Sequence, residues 1–135
     1  MFTSKIAIVV REDLAVWQKL NVTAFLMSGI TARYDDIIGA SYQDAHGYPH
    51  LPLCGQPVIV LSASPETLSR IRQRAREREV ITATYIEEMF TTGHDEANRA
   101  VFSESDLERN NVVGIGLRAD RKQVDKITKG AVMHS

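Results

Sequence analysis

The run Lys5-Ile6-Ala7-Ile8-Val9-Val10 is apolar on both parities and rich in β-branched residues. A strand with one wet face alternates polar and apolar side chains, whereas one that does not alternate needs cover on both sides. A chain built around such a strand must therefore supply a layer above it and a layer below it. The sequence after Val10 supplies the first. Arg11-Glu12-Asp13 ends the run, and Leu14, Trp17, Leu20, Asn21, Ala24 and Met27 then recur at helical spacing, with Asp13 or a neighbour as cap and Gly29 as the expected C′ residue.

The alternation continues. Residues 56–61 read as a second buried strand, with Pro57 near its start, where a missing amide costs least. Ser64, Pro65 and Glu66 suit the N-cap, the N1 position and the first turn of a helix running to residue 79. Leu68, Ile71 and Ala75 share one face of it, while Arg70, Arg74 and Arg78 follow one another on another face, read as a solvated ion-pair surface with Glu66 in preference to a phosphate-binding one. Residues 80–86 and 111–117 read as the third and fourth strands, and the glycines at 114 and 116 suggest close approach of another backbone. Asp120 with Gln123 forms a variant capping pair for a last short helix, closed by Gly130. Between Tyr34 and Gln56 the helical period lapses, and a short hairpin turning at Gly47 is expected.

Strands alternating with helices place helices on both faces of a mainly parallel or mixed sheet, here within a single α/β domain over residues 1–135. With 44% hydrophobic and 24% charged residues, the chain is expected to fold throughout except for a few C-terminal residues. Residues 6–10 are too short an apolar run for a signal peptide, and no stretch approaches the ~20 apolar residues that cross a bilayer. A cytoplasmic location with no membrane partner is the expectation. Cys54 is the only cysteine, which excludes an internal disulfide and suits a reducing compartment. Sixteen Lys and Arg against seventeen Asp and Glu leave a net charge of −1, a balance that argues against nucleic acid as a partner. Arg70, Arg72, Arg74, Arg76 and Arg78 wrap more than one side of their helix, which dilutes any basic surface for nucleic acid.

In sheets of this class ligands meet the loops beyond the carboxyl ends of the strands. Residues 87–99 are the densest such segment, with four carboxylates, a histidine, two hydroxyls and an amide. His94 could act there as a general base, oriented by Asp95 or Glu96. Equally, Thr92 could cap a helix whose first turn carries Asp95 and Glu96 for dipole reasons, leaving His94 exposed. Trp17 and Asn21 both require polar partners if buried. His46 and His50 are separated by Gly47 and Pro49, which deny them a common helix face, so no zinc pair is expected. Gly114-Ile115-Gly116 lacks the rest of a dinucleotide fingerprint. Neither a metal nor a cofactor is expected.

Leu20-Asn21-Val22-Thr23-Ala24-Phe25-Leu26, Gly55-Gln56-Pro57 and Met89-Phe90-Thr91-Thr92-Gly93-His94-Asp95-Glu96-Ala97-Asn98 resemble the pattern of an uncharacterised, mostly bacterial family, domain of unknown function family 2000. That family is similar in fold to the type II peptidyl-tRNA hydrolases. The resemblance implies a three-layer α/β/α domain around a four-stranded mixed sheet, and a homodimer. It also implies that Lys19 stands as a displaced counterpart of the hydrolases' functional lysine, Glu88 of their acidic residue and Thr92 of their threonine, with Met89-Phe90 replacing a Gly-rich element. Two functions follow. In a hydrolase, Glu88 or His94 activates water and Lys19 or Arg11 stabilises an oxyanion or phosphate. In a binding or regulatory module, Trp17, Asn21, Thr92 and Asn98, with Arg11 and Asp95 beside them, hold a small-molecule ligand and do no chemistry. Both require residues 87–98 to fold back beside the start of the first helix.

Overall fold

The computed structural model describes residues 2–109 and 111–135. The chain runs β1 (Ser4–Arg11), α1 (Val16–Arg33), β2 (Tyr42–Gln43), β3 (Pro49–His50), β4 (Val58–Ala63), α2 (Pro65–Glu77), β5 (Ala83–Ile86), α3 (Asp95–Ser103), β6 (Val112–Asp120), α4 (Arg121–Ile127) and β7 (Val132–Met133). Single 3-10 turns occupy Asp35–Ile37, Glu87–Thr91 and Leu107–Arg109.

Ile6, Ala7, Ile8, Val9 and Val10 are all fully buried, because β1 is covered on both faces. Ile6, Ile8 and Val10 meet Val22, Leu26 and Ile30 of α1. Ala7 and Val9 meet Leu68, Ile71 and Ala75 of α2 and Val124 and Ile127 of α4 on the other face. At ~1.5–3 kcal/mol for each large aliphatic side chain removed from water, this double cover is the main favourable term in the fold.

The sheet has five strands in the order β5-β6-β1-β4-β7, and it is mixed: β1 and β4 run parallel, and every other neighbour runs antiparallel. This corrects the expected four strands. The fifth, β7, lies among the C-terminal residues expected to stay outside the fold: Met133 pairs with Leu61 and Val132 with Ser62, and the His134 amide donates to the Val60 carbonyl at 3.1 Å. Two residues have no period to read, and their pairing is fixed by the free edge of β4.

Four local expectations also change. α1 does not stop at Gly29 but continues to Arg33, closing with the Tyr34 amide on the Ile30 carbonyl at 2.9 Å. Its start is Val16, where the Gln18 side chain accepts from the Ala15 amide at 2.9 Å; Asp13 is instead taken by Arg11 Nε at 2.6 Å. Gln123 does not cap α4 but accepts from Arg78 Nη1 at 2.8 Å, while Asp120 caps alone, accepting from the Lys122 amide at 3.2 Å. The arginine face of α2 is not tied to Glu66: Arg74 Nη1 donates to the carbonyls of Ile127 and Lys129 at 3.2 and 2.7 Å, fastening α2 to the negative end of α4. The neighbours of Gly114 and Gly116 are chiefly α1 side chains: a Cβ on Gly114 would lie 2.4 Å from Val22 Cγ1.

Other expectations stand as drawn. Ser64 Oγ accepts from the Thr67 amide at 3.1 Å with Pro65 at the first helical position, and Gly47, at φ 80°, turns the β2–β3 hairpin. Among the described residues, no helix is long and apolar enough to cross a membrane.

Candidate functional site

With Val22, Leu26 and Ile30 of α1 facing the sheet, Trp17, Asn21 and Phe25 form the adjoining stripe at i, i+4 and i+8. Alternation along β5 sends Tyr85 to that same face and Ile86 to the opposite one. The 3-10 turn Glu87–Thr91 then reverses the chain, setting Phe90 beside Tyr85 and starting α3 at the level of Trp17. The result is a cavity of about 310 Å³, with Trp17, Asn21, Phe25, Tyr85 and Phe90 on one side and Thr92, His94, Asp95 and Asn98 on the other. That is the lower end of the volume range of small-molecule sites.

Four rings form a continuous wall. Trp17 and Phe90 meet edge-on with centroids 5.8 Å apart, Phe90 and Tyr85 lie 5.2 Å apart, and Tyr85 and Phe25 5.8 Å apart. Each such contact contributes about 0.5–1.5 kcal/mol beyond area burial. Trp17 is nevertheless 60% exposed and Phe25 52%, so the wall still offers apolar surface at the cavity mouth.

The polar groups are arranged against that wall. Asn21 Nδ2 donates to Tyr85 Oη at 3.4 Å and Tyr85 Oη donates to the Met89 carbonyl at 3.5 Å, both long bonds. Burial pushes the Tyr85 phenol above its ordinary pKa of 10.0, with the Asn21 bond opposing the shift, so the phenol is neutral and a donor. Thr92 Oγ1 lies 2.9 Å from the Met89 carbonyl and also contacts the Asn98 side-chain amide. One hydroxyl proton cannot serve two acceptors. Thr92 donates to Met89, and the Asn98 amide is best turned so that its NH₂ donates to Thr92 and its oxygen faces away from it.

The N-cap of α3 is His94, not Thr92: its Nδ1 accepts from the Ala97 amide at 3.2 Å, which in the neutral ring leaves Nε2–H as an exposed donor. Asp95 is occupied by Arg99 Nε at 2.7 Å.

Of the residues singled out from sequence, Trp17, Asn21, Thr92, His94, Asp95 and Asn98 come together, and Arg11, Lys19 and Glu88 do not line the cavity. Arg11 closes the end of β1, 2.6 Å from Asp13 and 3.7 Å from Glu87. The Glu88 carboxylate turns away, accepting from Asn111 Nδ2 at 2.9 Å, with Ser105 Oγ, which donates to the Val101 carbonyl at 2.8 Å, 3.2 Å from it. The Asn111 bond holds its carboxyl below the ordinary 4.5, which makes it a weaker base. Phe25, Tyr85 and Phe90 were not singled out as site residues. Phe25 was legible as the next member of the Trp17–Asn21 stripe, and Tyr85 as the residue of opposite parity to Ile86.

Among the described residues, no group of three or more His, Cys, Asp and Glu side chains is placed to hold a metal ion. His50 pairs instead with Asp44 at 2.9 Å across the hairpin, and this bond, with that from the His46 amide, lowers the Asp44 pKa. Cys54 is half-buried, its Sγ donating to the Gln56 carbonyl at 3.3 Å.

A mixed sheet with helices on both faces, and an aromatic-walled cavity beyond the carboxyl end of its β5 edge, defines an α/β protein with a ligand-sized hollow. The chain belongs to the family described as protein of unknown function (DUF2000), which matches residues 4–135. It is similar to the solved structure of a protein of unknown function from Agrobacterium tumefaciens strain C58, with 58% identity, a TM-score of 0.98 and 100% of each chain covered. No curated protein matches it.

Proposed function

We propose that the cavity between α1 and α3 binds a small, flat, uncharged polar molecule and does not hydrolyse it. The observation that carries this is the division of labour around the cavity. Four rings and the amides of Asn21 and Asn98 face one hollow, while the acid and the lysine a hydrolase would need, Glu88 and Lys19, lie outside it. A planar ligand stacks on Trp17 and Phe90 and exchanges hydrogen bonds with Asn21, Asn98 and the exposed His94 Nε2–H. Asp95 is paired with Arg99, so among the described lining residues it offers an ion little net charge.

In the same reading, the resemblance to the type II peptidyl-tRNA hydrolases is a kinship of fold without shared chemistry. Two observations support that view: the Glu88 carboxylate is engaged by Asn111, and Phe90 fills space in which a substrate ester would approach.

A thermal-shift screen over neutral heterocyclic metabolites and nucleosides tests the proposal. A ligand present at ~100 times its dissociation constant adds about 2.7 kcal/mol of apparent stability. The shift is expected to vanish in Trp17→Ala and Asn98→Ala and to persist in Glu88→Gln. A turnover that depends on Glu88 and ignores Asn21 and Asn98 overturns the reading, as does a screen without any shift.

A further inference from the structure

On the opposite face of β5, α2 and the turn Leu107–Arg109 flank a second and larger hollow, of about 650 Å³ and broadly open to solvent. Its floor holds Arg72, a charged residue only 8% exposed. Among the described residues, Arg72 Nε and Nη2 are buried without a hydrogen bond. The Glu108 carboxylate stands 3.1 Å from Nη2, close enough for an ion pair but out of line for a hydrogen bond, and it is shared with Arg76 Nη1 at 3.8 Å. Glu108 is itself more than half exposed, leaning over the guanidinium from the solvent side.

A desolvated guanidinium with unmade bonds is costly unless a partner completes it. The two orphan groups specify that partner. Nε–H and the neighbouring Nη2–H project from one edge of the guanidinium, the edge that grips the two oxygens of a carboxylate. Around it Ala75, Val80 and Leu107 provide apolar walls, and the Thr82 and Thr84 hydroxyls share one bond at 2.9 Å, which leaves one of their two protons uncommitted. Glu79, Asp106 and Glu108 against Arg72 and Arg76 leave the lining with one negative charge in excess, which disfavours phosphates and polyanions more than a single carboxylate.

We propose that this cavity binds a monocarboxylic acid with a small apolar body, its carboxylate seated bidentately on Arg72 Nε and Nη2. Glu108, which stands over Nη2 in the free protein and leaves Nε without a partner, swings into solvent when the ligand enters. The site is separate from the aromatic cavity and does not depend on what binds there.

The experiment is a nitrogen–proton NMR titration of the whole chain with hexanoate and with 3-phenylpropanoate, following the Arg72 Nε–H and the Thr82 and Thr84 amides, with hexanamide and inorganic phosphate as controls. Both carboxylates are expected to shift these signals saturably, and both controls to leave them in place. Glu108→Gln removes the competing carboxylate and should tighten binding several-fold. Arg72→Met, which replaces the buried charge by an apolar side chain of similar length, should abolish it. If Arg72→Met does not fold, Arg72→Lys keeps the charge without the fork and should weaken binding roughly tenfold or more. The proposal is overturned if neither carboxylate perturbs the native chain or Glu108→Gln, if the response survives at Arg72→Met or is undiminished at Arg72→Lys, or if phosphate or hexanamide produces the same shifts.

Discussion

The phenol of Tyr85 sits where the aromatic wall of the first cavity turns polar, 5% exposed and bonded to Asn21. Burial raises its pKa above the 10.0 of an unfolded tyrosine, and the Asn21 bond pulls it part of the way back. Its sign is that of a proton held more tightly in the folded state. The stabilising contribution is complete below pH 10 and is lost as pH rises through the folded pKa. Spectrophotometric titration should therefore show a late phenolate that is absent in Tyr85→Phe and later still in Asn21→Ala. An unchanged titration curve in Tyr85→Phe would refute this assignment. Glu88 has the opposite sign. Chiefly through Asn111, its carboxyl is held below 4.5, so its contribution is present above that value and lost as pH falls through the folded pKa. Asn111→Ala should raise the Glu88 pKa toward 4.5, seen directly by carbon NMR of the side-chain carboxyl. Because Glu88 is largely exposed, the accompanying stability change should be small. A pKa that does not move would place the cause elsewhere.

At the scale of elements, α1 packs onto β6 through the space that glycine leaves. A Cβ on Gly114 would fall 2.4 Å from Val22 Cγ1 and 3.1 Å from Leu26 Cδ1, and Val22 is fully buried with a stiff, β-branched side chain. Gly114→Ala should cost about 1–3 kcal/mol by overpacking, measured by denaturant unfolding. Val22→Ala in the same chain should return part of that loss, and simple additivity of the two losses would show that they do not share the space. Ser64→Ala should cost about 1 kcal/mol, because the Thr67 amide loses its acceptor. The elements differ in how far they could be read from sequence. Ser64 and Pro65 act within one turn and need nothing distant, so the start of α2 was legible. Gly29 does not end α1 because the local rule for ending a helix is outweighed by packing: Ile30, the next residue, is buried against β1, which favours continuing the helix. Gln123 was misread for a related reason, since its cap position is taken over by Arg78 from another helix. The pairing of β7 depends on which edge of β4 stays open, and that is a property of the finished sheet.

For the molecule as a whole, strand order is the quantity that sequence left open and the candidate site needs. Residues 87–98 could be expected beside the first helix only as an assumption, because β5 is not the neighbour of β1: β6 lies between them, and α1 must reach across it. That span brought Trp17 and Asn21 to Thr92 and Asn98, and the direction of the turn after Ile86 left Glu88 on the far side. The same geometry makes a prediction about unfolding. The core facing α1 and the core facing α2 and α4 are built on successive residues of the same strands, Ile8 and Val9 of β1, Val113 and Val112 of β6. Neither layer can leave without exposing a face of β1 and β6 to water, so the two should unfold together as one cooperative transition. Trp17, the only tryptophan, reports the α1 side through its contact with Phe90, while far-UV circular dichroism reports the helices of both sides. The two signals should give the same midpoint in denaturant, and Gly114→Ala, which touches only the α1 side, should lower both midpoints equally. A fluorescence transition that precedes the loss of helical signal would instead mean that α1 and its cavity detach from a sheet still held by α2 and α4.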